Sequence, residues 1–369
     1  MAYTDIDDPT AYFQTKPYAG DGTTNNAQTF DGNTDMQPDM VWFKRRSGGA
    51  NHFLYDSVRG ANRSLVPNDT DAEATSGEQT TYLTSFDSNG FTLGDDVDNV
   101  NASGSTYVLW GWLAGTSVSG STTGSGTAQS YTASVSTTAG FSITAFTGNG
   151  TANHTIPHNL GVAPDWFIIK KRIGTGDSTP RDWNVYHSSL GNTKRIALNS
   201  TGAVSTSSEY WNDTSPTSSV VNLGTNDQIN GNNNTYIMYA FAEKKGFSKF
   251  GSYVGNGSTD GTFVYTGFKP AWVMCKRTDS TGVWFICDIK RVGFNGRPNN
   301  TATVGNPELS ANDSRSEAAG NTNIMDIYSN GFKLISSGGE INGSGASFIY
   351  MAFANNPFVT STGIPGLAR

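Results

Sequence analysis

The chain has little charge, little sulfur and no long apolar run, and each shortage removes a class of protein. Two cysteines in 369 residues cannot make a disulfide framework. No apolar stretch approaches the roughly 18 residues of a membrane-crossing helix, so no membrane insertion is expected. Charged residues make up 15%, with Lys+Arg 24 against Asp+Glu 31 and a net charge of −7. That balance leaves no basic footprint for phosphates, and no nucleic-acid partner is expected. The opening residues MAYTDIDDPTAYF are acidic and contain neither a basic nor an apolar leader region. A protein made in a cytoplasm without a signal peptide is therefore expected, with its two cysteines as buried thiols.

Catalytic constellations are also scarce. Glutamate occurs only at Glu73, Glu78, Glu209, Glu243, Glu308, Glu317 and Glu340, and no two occupy equivalent loops as the acid and nucleophile of a glycoside hydrolase would. His154 and His158 are four apart, but Pro157 between them breaks any helix that could put both on one metal. No cofactor, no metal and no enzymatic activity are expected.

What the chain does contain is glycine (43), Ser, Thr and Asn in quantity, and 8 Trp, 15 Tyr and 20 Phe. Turn-forming residues with bulky side chains argue for β-structure with filled cores. The length suits two or three domains.

An internal repeat organises the rest. An aromatic followed by a Gly-x-Gly turn occurs as YAGDGT from Tyr18, FTGNGT from Phe146 and YVGNGS from Tyr253, spaced 128 (146 − 18) and 107 (253 − 146) apart. A proline opening an apolar, base-ended strand occurs as PDMVWFKRR from Pro38, PDWFIIKKR from Pro164 and PAWVMCKR from Pro270, spaced 126 (164 − 38) and 106 (270 − 164). An aromatic run occurs as YVLWGWLA from Tyr107, YIMYAFAE from Tyr236 and FIYMAFAN from Phe348, spaced 129 (236 − 107) and 112 (348 − 236). Three ladders that agree predict three tandem β-sandwich units with about seven strands each. A fourth anchor, SNGF, appears at Ser88–Phe91 and Ser329–Phe332 but not in the middle copy, which reads VVNLGTND.

The expected boundaries are an N-terminal arm at 1–15, units at 16–115, 140–245 and 246–356, and a tail at 357–369. Residues 116–139 read as a Ser/Thr/Gly-rich linker whose second half is an extra strand. Unit 1 would then hinge on it, with units 2 and 3 rigidly joined. The arm reads as a docking arm and the tail as a segment laid along a neighbouring subunit.

Candidate ligand-binding residues are of two kinds. Tyr210 and Trp211, in the polar segment SSEYWNDT, could stack on a sugar ring; the blander reading has them plugging a local core. Lys170, Lys171 and Arg172 could grip an anionic polysaccharide, yet their recurrence as Lys44-Arg45-Arg46 and Lys276-Arg277 favours a solvated strand end that discourages edge pairing. Asp95, Asp96 and Asp98 suggest calcium, with spacing that fits no EF-hand loop.

The segment DPTAYFQT from Asp8, YAGDGT, PDMVWFKRR and SLVPNDTDAE from Ser64 together resemble repeat domains of tail-fibre and other virion-surface proteins of marine tailed phages. The resemblance spans nearly the whole chain. It implies β-sandwiches of lectin-like or jelly-roll-like outline in a non-enzymatic structural or attachment component displayed on a virion, partnered by other virion proteins, homo-oligomeric with a trimer favoured, and able to meet host-surface polysaccharide. A capsid-bound decoration or head fibre is the neighbouring alternative. A carbohydrate-active enzyme or free lectin module is the alternative of another class.

Overall fold

The computed structural model describes residues 3–95, 98–173, 181–291, 308–317 and 324–366. The first stretch of chain forms β1 (Phe13–Ala19), β2 (Asn26–Thr29), β3 (Met40–Arg45), β4 (Phe53–Asp56), β5 (Leu83–Asp87), β6 (Gly90–Leu93) and β7 (Thr106–Trp112). Next come β8 (Thr116–Ser121), β9 (Thr123–Gly124) and β10 (Ser130–Ser136). The second forms β11 (Phe141–Thr147), β12 (His154–Pro157), β13 (Trp166–Ile173), β14 (Asn184–His187), β15 (Lys194–Ala197), β16 (Ser205–Thr206), α1 (Ser208–Trp211), β17 (Val220–Leu223), α2 (Asp227–Asn230) and β18 (Thr235–Phe241). The third forms β19 (Ser248–Val254), β20 (Phe263–Tyr265), β21 (Phe268–Arg277), β22 (Trp284–Asp288), β23 (Leu309–Ser310), β24 (Met325–Tyr328), β25 (Gly331–Leu334), α3 (Gly339–Asn342) and β26 (Ser347–Pro357).

The fold is all-β, and its sheets come in pairs. Large antiparallel sheets β1-β7-β3-β4, β11-β18-β13-β14 and β19-β26-β21-β22 share one strand order, and small sheets β2-β6-β5, β17-β12-β9 and β20-β25-β24 face them. The central strands of the large sheets are continuous apolar runs buried on both faces, one of them against the partner sheet. Gly111 is small for a packing reason: a Cβ there would stand 2.9 Å from the Phe30 ring.

The glycine anchors are turns clamped from below. Gly22, Gly150 and Gly257 have φ of +71°, +72° and +68°, which glycine adopts without strain. Their amides donate to the carbonyls of Asn101, Asn230 and Asn342, each at 2.7 or 2.8 Å. Those three asparagines are fully buried and spend their carboxamides on the same turns. The aromatic before each turn stacks on the opposite strand: Tyr18 on Tyr107, Phe146 on Tyr236 and Tyr253 on Phe348.

The other faces of the large sheets meet in a core shared by all three units. Trp112, Phe241 and Phe353, equivalent positions of the aromatic run, converge there, with ring centroids 5.7 Å apart for Trp112–Phe353 and 5.8 Å for Phe241–Phe353. Trp272 of unit 3 packs edge-on against Trp110 and Trp112 of unit 1, and Trp284 of unit 3 against Trp166 of unit 2. Unit 1 therefore does not hinge, because swinging it away would expose several tryptophans to water.

Three further expectations are corrected. Residues 116–139 are not a free linker: β8 and β10 extend the large sheet of unit 2, and β9 joins its small sheet. An exposed edge hairpin has the same Ser/Thr/Gly composition as a linker. The N-terminal arm docks on its own chain, with Ile6 in the shared core and Thr4 Oγ1 donating to the Lys245 carbonyl at 2.8 Å. The described part of the tail likewise returns to this arm, Ser361 donating its amide to Asp7 at 2.6 Å. Cys275 and Cys287 are free buried thiols; Cys275 pairs across the strands with Phe285 and Cys287 with Val273.

Candidate binding surfaces

The first lysine of each basic cluster singled out in the sequence is a structural part of a joint between units. Lys44, Lys170 and Lys276 are buried, and each Nζ crosses to a backbone carbonyl of another unit: Ser314 at 3.3 Å, Thr70 at 2.8 Å and Thr201 at 3.2 Å respectively. Unit 2 reaches unit 1, unit 3 reaches unit 2 and unit 1 reaches unit 3, so the pattern closes into a ring. Burial depresses all three ammonium groups, to about 8 for Lys44, about 7 for Lys170 and about 8 for Lys276. A solvated strand end is thus the wrong picture for them.

The same cyclic rule governs the neighbouring side chains. Trp183 donates to the Val66 carbonyl and Trp284 to the Ala197 carbonyl, both at 2.9 Å. In unit 1 the place is taken by His52, which accepts from Trp42 at Nδ1 (2.9 Å) and so carries its proton on Nε2, facing the Ser310 carbonyl at 3.0 Å. Burial and then Lys44 hold this ring well below the usual histidine range.

Lys171 binds Asp227 at 2.7 Å and Arg172 forks onto Glu73. Tyr210 and Trp211 lie in α1, buried against the large sheet, with Trp211 edge-on to Phe167 and Tyr186, its indole donating to the Lys194 carbonyl at 2.9 Å, and Arg195 over the Tyr210 ring. Neither ring offers a face to solvent. Helix α1 stands where units 1 and 3 have β5 and β24, which accounts for the missing SNGF hairpin: Gly224 donates to the Tyr210 carbonyl as Gly94 does to that of Tyr82.

The histidines are occupied too. His154 contacts Asn230 and Thr122, and His158 the Thr217 carbonyl. Of the acidic trio, Asp95 and Asp98 are exposed, and Asp96 lies outside the described residues. Among the described residues no group of three or more His, Cys, Asp or Glu is placed to hold a metal.

Comparing the three units shows a surface that the sequence reading missed. On the outward face of the small sheet of unit 3 stand Phe263, Tyr265 and Tyr328, 45%, 59% and 43% exposed. Phe263 and Tyr328 meet edge-to-face at 6.0 Å beside Gly331, which pairs with both Tyr265 and Tyr328 and is covered by the Phe263 ring, 3.0 Å from where a Cβ would stand. Tyr265 also lines an adjoining cleft with Tyr3, Glu243, Lys245, Lys249 and Phe358. Register places Ala27, Thr29 and Asp87 at the corresponding positions of unit 1. Unit 2 has Thr155 and Pro157 there. The ring face therefore belongs to one unit of the three. The available signal was a comparison of FVY at Phe263 with NAQT at Asn26, a contrast between copies that a search for similarity passes over.

Fold and surface together define an all-β protein of three cyclically packed sandwiches carrying one exposed aromatic platform. The chain belongs to the family described as Domain of unknown function (DUF7483), whose model matches residues 8–357 and so takes in all three units. No curated protein and no solved structure matches it.

Proposed function

We propose that this chain is a non-enzymatic attachment component on the surface of a tailed-phage virion, and that it holds host-surface polysaccharide on the aromatic face of unit 3. The observation that carries the reading is the asymmetry of that face. Exposed rings of this size cost solubility, and two units of the same design do without them. The exposed ring surface suits the apolar face of a sugar, while Lys333 on the same face, paired with Asp260, keeps further ammonium protons for hydroxyls. The resemblance of the anchors to virion-surface repeats supports the setting. Homo-oligomers in that setting form through surfaces other than the inner faces of the large sheets, which are consumed within the chain.

The test is to label the protein on intact particles, locate it by electron microscopy, and measure sedimentation of the purified chain with host envelopes. A position on the fibre or capsid surface together with envelope binding supports the proposal. Absence from particles, or release of oligosaccharide from the envelope, overturns it.

A further inference from the structure

One strand end of unit 3, at its border with unit 1, departs from its counterparts in units 1 and 2. In unit 1, Asp39 caps the strand end beside it, accepting from the Ala114 amide at 2.9 Å; in unit 2, Asp165 does the same for the Glu243 amide at 2.9 Å. The corresponding residue of unit 3 is Ala271, and the residue it would cap is Asn355. Without that carboxylate the strand pair runs on in altered register: Trp272 faces Phe353, Pro270 faces Ala354 and Lys269 faces Asn356. Ala271 and Asn355 are each left without an opposite number. Two compensating bulges open the strand pair there, and bulges re-aim side chains.

The result is a cleft of about 310 Å³ bounded by both units. Unit 3 supplies the carboxamides of Asn355 and Asn356, half-buried and without a hydrogen-bond partner among the described residues. Unit 1 supplies Phe13 and Thr15, whose residue is 4% exposed and whose hydroxyl is buried with no partner. At the rim Asp31 and Lys290 pair across the joint at 3.1 Å, which leaves the mouth without net charge. Gln14 holds the Asp31-Gly32-Asn33 loop in place, accepting from the Gly32 amide at 2.9 Å and donating to the Thr10 carbonyl at 2.9 Å.

We propose that this cleft is a binding site for one neutral hexose ring. Unspent carboxamides offer both donors and acceptors, the Thr15 hydroxyl lacks a partner that a sugar hydroxyl would supply, and Phe13 gives an apolar wall. A paired rim favours an uncharged ligand over an anion. The site is separate from the aromatic platform and stands whether or not that platform binds polysaccharide.

The experiment is saturation-transfer NMR and calorimetric titration of the full chain with glucose, galactose, mannose and their neutral oligomers, repeated on Asn355→Ala, Asn356→Ala and Thr15→Val. Saturable binding of at least one sugar, weakened about tenfold or more by Asn355→Ala and by Thr15→Val with the melting temperature held, is the expected result. Thr15→Val is close to isosteric, so loss of binding there reports the hydroxyl and not the packing. No saturable binding of any neutral sugar, or binding that all three variants leave intact, overturns the proposal. A Tyr265→Ser control keeps the hexose site intact and so separates its failure from that of the platform.

Discussion

Arg172 of unit 2 grips Glu73 of unit 1 through two hydrogen bonds, 2.8 Å to Oε2 and 2.9 Å to Oε1. Glu73 in turn faces the fully buried Arg59, which holds Asp56. The joint between units 1 and 3 repeats this with Arg46, Glu317, Arg291 and Asp288. At the third joint Thr278 faces Val204, and Leu190 and His187 take the places of the arginine and aspartate. Two joints are ionic and one is largely apolar on the same backbone plan.

Removing one member of a buried ionic cluster strands the others, whereas a joint built without charges loses nothing. Arg59→Leu alone is expected to destabilise the chain by about 3–5 kcal/mol in urea denaturation. The combined change Asp56→His, Arg59→Leu, Glu73→Val and Arg172→Thr, which removes every charge of the cluster and copies the apolar joint, is expected to cost less than Arg59→Leu by itself. A fourfold variant less stable than the single would contradict this.

Lys170 gives a pH prediction with a definite sign. Burial depresses it to about 7, against the partial support of Asp182, Asp71 and Asp69, while in the unfolded chain it titrates near its usual value of about 10.4. Between these values the folded state binds fewer protons, so this residue's contribution to stability rises with pH. Relative to Lys170→Met, the wild type should therefore gain stability from about pH 7 to about pH 10. Referring each pH to the variant cancels the opposing titration of the buried cysteines and tyrosines. A difference that stays flat or falls over that range would refute it.

The shared core predicts one cooperative unfolding transition. Trp272→Ala, at the meeting of units 1 and 3, should cost about 3–5 kcal/mol and lower a single calorimetric peak. Nicking the chain within 116–139 should leave the pieces associated on size exclusion. Separate melting of unit 1, or its release after the nick, would contradict the closed ring.

The strand framework was legible in the sequence because turns and apolar strands are local signals. Gly22, Gly150 and Gly257 announce their turns, and Trp166 to Ile169 announce a central strand. The joints were not legible, because a lysine that caps a distant carbonyl is written like one in water. One missed signal lay in plain sight: Asn101, Asn230 and Asn342 are spaced 129 (230 − 101) and 112 (342 − 230), the spacing of the aromatic run. Tyr210 and Trp211 plug a local core, as the blander reading has it; their polar neighbours suggest a loop, whereas the segment is a helix filling in for a strand. The aromatic platform and the hexose cleft arise where unit 3 breaks the shared pattern, so a reading built on similarity could not reach them.

The most direct test compares faces of equivalent position. The variant Phe263→Ser, Tyr265→Ser, Tyr328→Ser and, as control, Ala27→Ser, Thr29→Ser, Asp87→Ser should both melt close to the wild type, since the altered side chains of each set lie on the outer face of a small sheet. In sedimentation with host-envelope polysaccharide, the account predicts that the unit 3 variant loses binding by about tenfold or more while the unit 1 variant binds as the wild type does. Equal binding by both would contradict it.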